Sequence, residues 1–428
     1  MTSDRGPREA YVWIWLPNAT EPVVAGRLSR DGNQTVFNYG RSYLEREHAI
    51  AIYLPELPLK SGIIPPIPPL SMASCLRDAA PDAWGRRVVI SRLTGLMGRA
   101  ASAVELDELT FLLESGSDRV GALDFQASPS VYEPRAVENA TLEELVESAE
   151  RVEAGEPLTP QLALALQHGT AVGGARPKAL IQTDTTKYVA KFSSTTDTYN
   201  VVKAEYIAMR LAAIAGLQAA PVELTRAMNR DVLLVERFDR QSVNREWTRR
   251  AMVSALTLFG LDELMAAHAS YQELADLIRQ RFVDARLTLR ELFGRLCFNV
   301  LVGNTDDHAR NHAAFWDGDR LELTPAYDIC PQARTGHEAS QGMLINDAVR
   351  ESRLSACLDA SNVFLLQRED ALQIMISLIL TLRNHWDAVC REAQLPDTDK
   401  ALLWRRQFLN HYALDDVAPQ LGSAAHDL

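Results

Sequence analysis

The feature that most constrains this chain is a set of oxygen-bearing side chains between residues 303 and 328. Asp306 is followed five residues later by Asn311, and Asp328 comes after a short intervening segment. Phosphoryl transfer requires such a set: one carboxylate orients or deprotonates the attacking hydroxyl, while an amide oxygen and a second carboxylate hold Mg²⁺. A fold that uses the three residues in this way has to bring the two segments together.

The residues around this set favour such an arrangement. The interval from Asp306 to Asn311 equals that of the catalytic loop of protein kinases. Gly303 is expected to end a helix over 289–302, because glycine commonly stops helices. Residues 317–319 are Asp-Gly-Asp between two short apolar segments. This is a hairpin pattern that would carry Asp328 back towards Asp306.

Length and composition indicate a folded protein of several domains. With 428 residues, two or three domains are expected. A hydrophobic fraction of 47% and a charged fraction of 23% are typical of globular chains. No apolar run approaches the roughly 20 residues of a membrane span, and the polar first residues lack the apolar core of a signal peptide. We therefore expect a cytoplasmic protein without a membrane partner.

The cysteines indicate whether disulfides are expected, and the net charge indicates whether the chain can bind nucleic acid by itself. The five cysteines are scattered without a C-x-x-C pair, which indicates reduced thiols rather than a disulfide framework. The net charge of −12 opposes general binding to phosphate backbones. DNA contact is therefore expected only indirectly, through a basic partner.

The order of predicted elements indicates three zones: residues 1–130, 131–237 and 238–428. Strands are predicted at 11–16, 49–54, 188–192 and 232–237, with a turn at 31–33. Helices are predicted at 143–153, 204–215, 271–282, 289–302, 363–393 and 397–412, and Pro81 with Asp82 suits the start of another.

A glycine-rich stretch in the second zone is a candidate phosphate cradle. Gly173, Gly174 and Ala175 would let backbone N–H groups approach an anion. Arg176 and Lys178 would add positive charge. The stretch is not a Walker A loop, and an ordinary Gly-Gly turn with solvated basic residues is the alternative interpretation.

The segments that follow supply a candidate cation and a candidate hinge. Lys191 lies on a predicted apolar strand soon after the glycines, the position of the phosphate-pairing lysine in kinases. Glu205, in the next predicted helix, would orient Lys191 through an ion pair. Residues 233–239, an apolar strand that runs into a connector, suit a hinge between lobes, where backbone groups can hydrogen-bond adenine. Surface charges and a plain domain crossing are the alternatives.

Residues inside the Asp306 loop leave some roles open. His308 and His312 have the i, i+4 spacing of a zinc pair, but Ala309 stands where the H-E-x-x-H motif needs glutamate. We expect His308 to brace the loop by hydrogen bonding. Asp307 competes with Asp306 for the role of base, and both could instead cap turns.

Six segments, in the same order along the chain, resemble the HipA family of bacterial toxin–antitoxin serine/threonine kinases. They are residues 76–87, 118–123, 173–178, 235–240, 304–311 and 323–328. The resemblance implies an α+β, bilobal protein-kinase-like fold close to phosphoinositide kinases. Its N-terminal part is mixed α/β with an additional subdomain, and its C-terminal lobe is mainly helical.

The resemblance also implies a function. It implies ATP and Mg²⁺ as cofactors and phosphorylation of a translation-related protein, such as an aminoacyl-tRNA synthetase, which arrests growth. The implied partner is a helix-turn-helix antitoxin of the HipB type, which would contact DNA. Carried onto this chain, Asp306 is the catalytic residue, with His308 in the same loop, and Asn311 and Asp328 are the Mg²⁺ ligands. Lys191 and the glycine-rich loop contact the phosphates, and the backbone of Glu236 and Phe238 receives adenine.

Some positions depart from relatives. Where some members autophosphorylate a serine ahead of the glycine-rich loop, this chain has Ala171, so self-inactivation is in doubt or moves to Thr170. Asp307 replaces a glycine and Arg310 a lysine of some relatives. Two other function classes stay open: a pseudokinase that binds an antitoxin to tune transcription, and a small-molecule or lipid kinase.

Overall fold

The computed structural model describes residues 6–96, 104–135, 140–154, 156, 159, 162, 166, 172, 176–194, 197–334, 336–346 and 348–422. The chain divides into two compact units. The first comprises Met1–Thr196, Thr225–Val253 and Phe315–Asp319, and the second comprises Asp197–Leu224, Ser254–Ala314 and Arg320–Leu428. The predicted divisions at residues 130 and 237 do not coincide with the boundaries of these units.

Strands in the described residues are β1 (Glu9–Ile14), β2 (Val23–Asp31), β3 (Gln34–Tyr39), β4 (Leu123–Gln126), β5 (Lys178–Gln182), β6 (Lys187–Phe192), β7 (Val222–Ala227), β8 (Arg230–Glu236), β9 (Arg240–Val243), β10 (Glu246–Arg249), β11 (Met252–Ser254), β12 (Ala313–Trp316) and β13 (Leu321–Leu323).

Helices in the described residues are α1 (Arg41–Leu44), α2 (Ser74–Arg77), α3 (Ala83–Thr94), α4 (Glu108–Glu114), α5 (Leu142–Ala154), α6 (Val201–Ile214), α7 (Ala255–Leu258), α8 (Tyr271–Arg281), α9 (Ala285–Val302), α10 (Leu354–Asp359), α11 (Arg368–Glu392), α12 (Asp397–Leu403), α13 (His411–Leu414) and α14 (Ala418–Leu421). Short 3₁₀ turns span Glu263–His268, Ala309–Asn311 and Ser361–Phe364.

The first unit begins with a four-stranded sheet in the order β3-β2-β1-β4. The predicted turn at 31–33 is confirmed, and Gly32 supplies the positive φ of 59° that a tight turn favours. The strand predicted at 49–54 is wrong. Side chains take up its backbone groups instead: the Tyr43 hydroxyl donates to the carbonyl of Ile50, and the Tyr39 hydroxyl accepts from the amide of Ile52.

A second four-stranded sheet has the order β5-β6-β8-β7. The predicted strands at 188–192 and 232–237 correspond to β6 and β8. Helices α3 and α5 pack on this sheet through Trp84, Val88 and Leu145, which join Ala190 and Val232 in one buried apolar cluster. The predicted helix start at residue 82 is confirmed, because the Asp82 side chain accepts from the third amide of α3.

The segment after β8 stays in the first unit. Strands β9 and β10 pair with each other. The carboxylate of Asp118 binds Arg237 at 2.9 Å and Arg240 at 2.9 Å, and Asp239 accepts from the amide of Gly121 at 2.8 Å. These contacts explain why the first unit extends to Val253 rather than ending at 237.

The second unit is mainly helical and includes α6, which the predicted zones had placed before residue 237. Lys203 of α6 donates to the carbonyl of Gln394 at 2.7 Å, and Arg210 lies 3.0 Å from Glu392 at the end of α11. Packing against α11 thus assigns α6 to this unit. No helix among the described residues is both long enough and apolar enough to cross a membrane.

Most predicted helices of the second unit are confirmed as α8, α9 and α11, but the helix predicted over 397–412 is wrong. The structure has α12 and α13 there, separated by extended and turn residues. Arg405 and Leu409 adopt positive φ angles of 66° and 51°, which no helix tolerates. The side chain of Asn410 caps α13 by accepting from Tyr412 at 2.9 Å.

Candidate active site

The candidate catalytic loop begins where α9 ends. Gly303 is the cap of α9 with a φ of 70°, as the sequence predicts. A Cβ at this position would lie 2.8 Å from the carbonyl oxygen of Gln407. The Gly303 carbonyl also accepts from the amide of Gln332 at 2.9 Å. Only glycine combines this backbone conformation with such close packing, so the direction in which the loop leaves the helix is fixed.

The two adjacent aspartates of the loop lie in different environments. Asp306 is exposed, whereas Asp307 is 1% exposed. The Tyr271 hydroxyl donates to Oδ2 of Asp307, and Nε2 of His312 lies 2.8 Å from Oδ1. Burial by itself raises the pKa of Asp307, but His312 and Tyr271 outweigh that effect and hold it below its ordinary value. Of the two carboxylates, Asp306 is therefore the one that solvent reaches.

Asn311 and Asp328 are tied to this loop by two hydrogen bonds. Nδ2 of Asn311 donates to the carbonyl of Asp306 at 3.2 Å, so the amide oxygen is the atom left for a cation. The Tyr327 hydroxyl donates to the carbonyl of Arg310 at 2.7 Å. The residue before Asp328 thus contacts the residue before Asn311.

The donors present fit Mg²⁺. Asp328 offers a carboxylate and adopts a φ of 59°, a left-handed conformation that aspartate and asparagine tolerate better than most residues. Mg²⁺ commonly takes one or two protein oxygens and completes its shell with water and phosphate. The described residues contain no group of three or more His, Cys, Asp or Glu side chains able to hold a metal, and a two-oxygen site does not require one.

The segment before Asp328 is held by a neighbouring chain segment that the sequence did not reveal. The amide of Ala326 donates to the carbonyl of Gln218 at 2.7 Å, and the amide of Ala220 donates to the carbonyl of Ala326 at 2.9 Å. Arg295 also binds the Gln218 carbonyl, at 3.1 Å. The two main-chain bonds join residues more than 100 positions apart, and the Arg295 bond spans 77 positions. No local motif predicts contacts at such separations.

His308 does not have the bracing contact expected from the sequence. Its Nδ1 is buried and has no hydrogen-bond partner among the described residues. His312 makes the bracing contact instead, through Asp307. Arg310 is also used locally, since its guanidinium lies 2.7 Å from Glu263 in the turn that follows α7.

Lys178 and Lys191 of the first unit are direct cross-strand partners on β5 and β6, so their side chains lie on one face of the sheet. Lys191 is partly buried. Lys178 is 2% exposed and its ammonium lies 3.0 Å from Asp82. The alternative of a solvated basic residue is therefore wrong for Lys178, whereas its contact with phosphate stays a prediction.

The remaining predicted nucleotide contacts are placed as follows. Glu205 is buried on α6 of the second unit, Glu236 ends β8, and the Phe238 ring packs edge-on against Phe315 at 5.8 Å. Arg176 is partly buried just before β5. The roles of these residues stay predictions. Gly173, Gly174, Ala175 and Thr170 lie outside the described residues.

Two segments that resembled the family, 118–123 and 235–240, prove to be parts of one buried charge network. Arg237 donates to Asp118 and Asp239, and Arg240 does the same. Burial raises the pKa of Asp118, but Arg237 and Arg240 hold it well below its ordinary value. Desolvation lowers the pKa of Arg240 to about 10. No local sequence pattern indicates that these distant charges pair.

Two family models match the chain. The HipA-like C-terminal domain matches residues 170–386, and the HipA N-terminal domain matches residues 16–126. The serine/threonine-protein kinase toxin HipA of Shewanella oneidensis is 28% identical over 147 residues, which are 31% of this chain and 34% of that protein. The matching stretch therefore spans about a third of that relative's length.

Comparison with solved structures extends over more of the chain. The complex of HipA, HipB and operator DNA from the Shewanella oneidensis MR-1 toxin–antitoxin system matches with a TM-score of 0.66 and 18% identity. The match covers 94% of this chain and 95% of the other, and it shows a shared fold. The proinflammatory kinase CtkA of Helicobacter pylori matches with a TM-score of 0.42 and 15% identity, over 60% of this chain and 94% of the other.

Proposed function

The chain belongs to the HipA family, and on that premise we propose that it is an ATP- and Mg²⁺-dependent serine/threonine protein kinase that acts as the toxin of a toxin–antitoxin system. One observation supports this most directly. Asp306 is exposed at the head of a loop in which the neighbouring Asp307 is buried and fully engaged. Asp306 is therefore a carboxylate of this loop that a substrate can reach. A residue that accepts a hydrogen bond from a substrate hydroxyl must be accessible in this way.

Each residue of the loop region then has a role. Asp306 accepts a hydrogen bond from the substrate serine or threonine and orients its oxygen for attack. Asn311, through its amide oxygen, and Asp328, through its carboxylate, hold Mg²⁺, which would neutralise charge on the ATP phosphates. Lys191 is proposed to steady the phosphates, with Glu205 as its partner.

We further propose the partners of this activity. The substrate is a translation-related protein such as an aminoacyl-tRNA synthetase, whose phosphorylation arrests growth. A HipB-like helix-turn-helix antitoxin would bind the chain. It would supply the positive charge for DNA contact, because this chain has a net charge of −12. In the matching Shewanella structure, HipA is assembled with HipB and operator DNA, which supports a partner of this kind.

The test compares wild type with Asp306→Ala in two assays. ATP turnover is measured on purified protein with Mg²⁺, and protein phosphosites are detected by mass spectrometry after induced expression in cells. We expect one dominant protein phosphosite with wild type and none with Asp306→Ala. Asp370→Ala, which changes an exposed aspartate at the start of α11, is the matched control. Equal phosphorylation by Asp306→Ala would refute the assignment, and ATP turnover without any protein phosphosite would favour a small-molecule kinase.

A further inference from the structure

A buried polar cluster lies directly behind the candidate catalytic loop. It comprises Tyr271 on α8, Asn299 on α9, and Asp307 and His312 at the two ends of the loop. Their exposed fractions are 0%, 3%, 1% and 4%. Buried polar groups are costly unless they are hydrogen-bonded. The proposed phosphoryl transfer does not itself use any of these four side chains.

The contacts within the cluster join one end of the loop to the other. Nε2 of His312 lies 2.8 Å from Oδ1 of Asp307 and 3.3 Å from the Tyr271 hydroxyl. That hydroxyl donates to Oδ2 of Asp307 and lies 3.5 Å from Nδ2 of Asn299. Both carboxylate oxygens of Asp307 therefore have a hydrogen-bonding partner, and one of those partners comes from the far end of the loop.

The main chain at both ends of the loop is anchored as well. The Asp307 carbonyl accepts from the amide of Met343 at 3.0 Å, and the His312 carbonyl accepts from the amide of Ala255 at 2.7 Å. A Cβ at Gly342 would lie 2.8 Å from the carbonyl oxygen of Asp307, so this segment packs closely on the loop. The loop ends are thus packed against two separate segments of the second unit.

Asp306 immediately precedes Asp307, and Asn311 immediately precedes His312. We propose that Asp307, His312 and Tyr271 form a positioning clamp that fixes Asp306 relative to Asn311. Such a clamp would hold the hydroxyl-orienting carboxylate at a set distance from the metal-holding amide. The inference rests on the proposed kinase function. The three clamp residues do not touch the reacting groups, so they are positioning residues.

The activity test uses Tyr271→Phe, which removes one hydroxyl, with Tyr206→Phe as the matched control. Tyr206 donates a comparable bond to Glu392, between α6 and α11. Losing a donor to a buried carboxylate should lower kcat about 10- to 100-fold. KM for ATP should change by less than about threefold, because an interaction that only orients reacting groups acts on kcat. His312→Ala should behave like Tyr271→Phe, and His312→Gln, whose amide can still donate to Asp307, should recover part of the rate.

A second readout does not depend on activity. The amide of Asn311 donates to the His308 carbonyl at 2.8 Å. In Tyr271→Phe its hydrogen exchange, and that of Met343, should accelerate about 10- to 100-fold, with no such change in Tyr206→Phe. Unchanged hydrogen exchange of these two amides in Tyr271→Phe would overturn the clamp. A fall in kcat that the loss of folded protein fully accounts for would also overturn it. Wild-type protein that transfers no phosphate would overturn the proposed function instead.

Discussion

Replacing Lys178 by methionine tests whether this lysine serves the fold or the nucleotide. Lys178 is 2% exposed, and its ammonium lies 3.0 Å from Oδ2 of Asp82. The other carboxylate oxygen, Oδ1, accepts from the amide of Gly85 at 2.8 Å and so caps α3. Methionine retains much of the length of lysine but removes the ammonium that lies 3.0 Å from this buried carboxylate.

The expected loss of stability follows from the removal of this buried ion pair. Removing one partner of a buried ion pair costs about 3–5 kcal/mol. Asp82→Asn added to Lys178→Met removes the charge and keeps an oxygen for the α3 cap. We therefore expect the double variant to regain about 2–3 kcal/mol of the loss, within the range of coupling energies for residues in contact.

Thermal unfolding followed by tryptophan fluorescence is a suitable assay, because the Trp84 ring nitrogen donates to the Lys178 carbonyl at 3.3 Å. For units of about 150–250 residues, 1 kcal/mol shifts the midpoint by about 2–4 °C, so the single variant should lose roughly 6–20 °C. Lys60→Met, at an exposed lysine, is the control. An unchanged midpoint together with a large rise in KM for ATP would refute this reasoning and restore Lys178 as a phosphate cation.

Three further outcomes are expected. Gly303→Ala should cost more than about 1 kcal/mol in urea unfolding, because φ is 70° and the new Cβ would meet the Gln407 carbonyl at 2.8 Å; an unchanged midpoint would contradict the packing argument. Asp118 and Asp239 have lowered pKa values in the folded protein. The stability that these carboxylates contribute is therefore fully present above their unfolded pKa of about 3.9, and it is lost as the pH falls from there towards their folded pKa values. The thermal midpoint should therefore drop on acidification below about pH 4, and their neutral variants should flatten that drop. Asp328→Asn should keep the fold, since asparagine tolerates the left-handed backbone, but lower phosphoryl transfer at least about 100-fold through weaker Mg²⁺ binding; wild-type activity would exclude Asp328 as a ligand.

Local patterns predicted the elements around the site. Helix α9 ends at Gly303 as predicted, and β12 and β13 are neighbours in a sheet across the Asp-Gly turn. These features depend on residues close in sequence, where glycine and turn chemistry act. For the same reason the start of α3 at Asp82 was predictable.

The features that the sequence left undecided depend on distant partners. Neighbouring residues do not distinguish Asp306 from Asp307, because Asp307 is hydrogen-bonded in the interior by Tyr271, which lies on α8. Lys178 has the sequence context of a phosphate ligand, yet Asp82 takes its charge from nearly 100 residues away. Side-chain pairing at such separations follows from the assembled fold and leaves no trace in a short motif.

Neither compact unit is a continuous stretch of chain, because the polypeptide passes from one to the other after residues 196, 224, 253, 314 and 319. During synthesis the candidate catalytic loop is therefore made before the last segment of the first unit, Phe315–Asp319, is added. Fragments released by premature termination ahead of residue 315 would lack part of both units. Such a fragment could therefore complete the fold of neither unit.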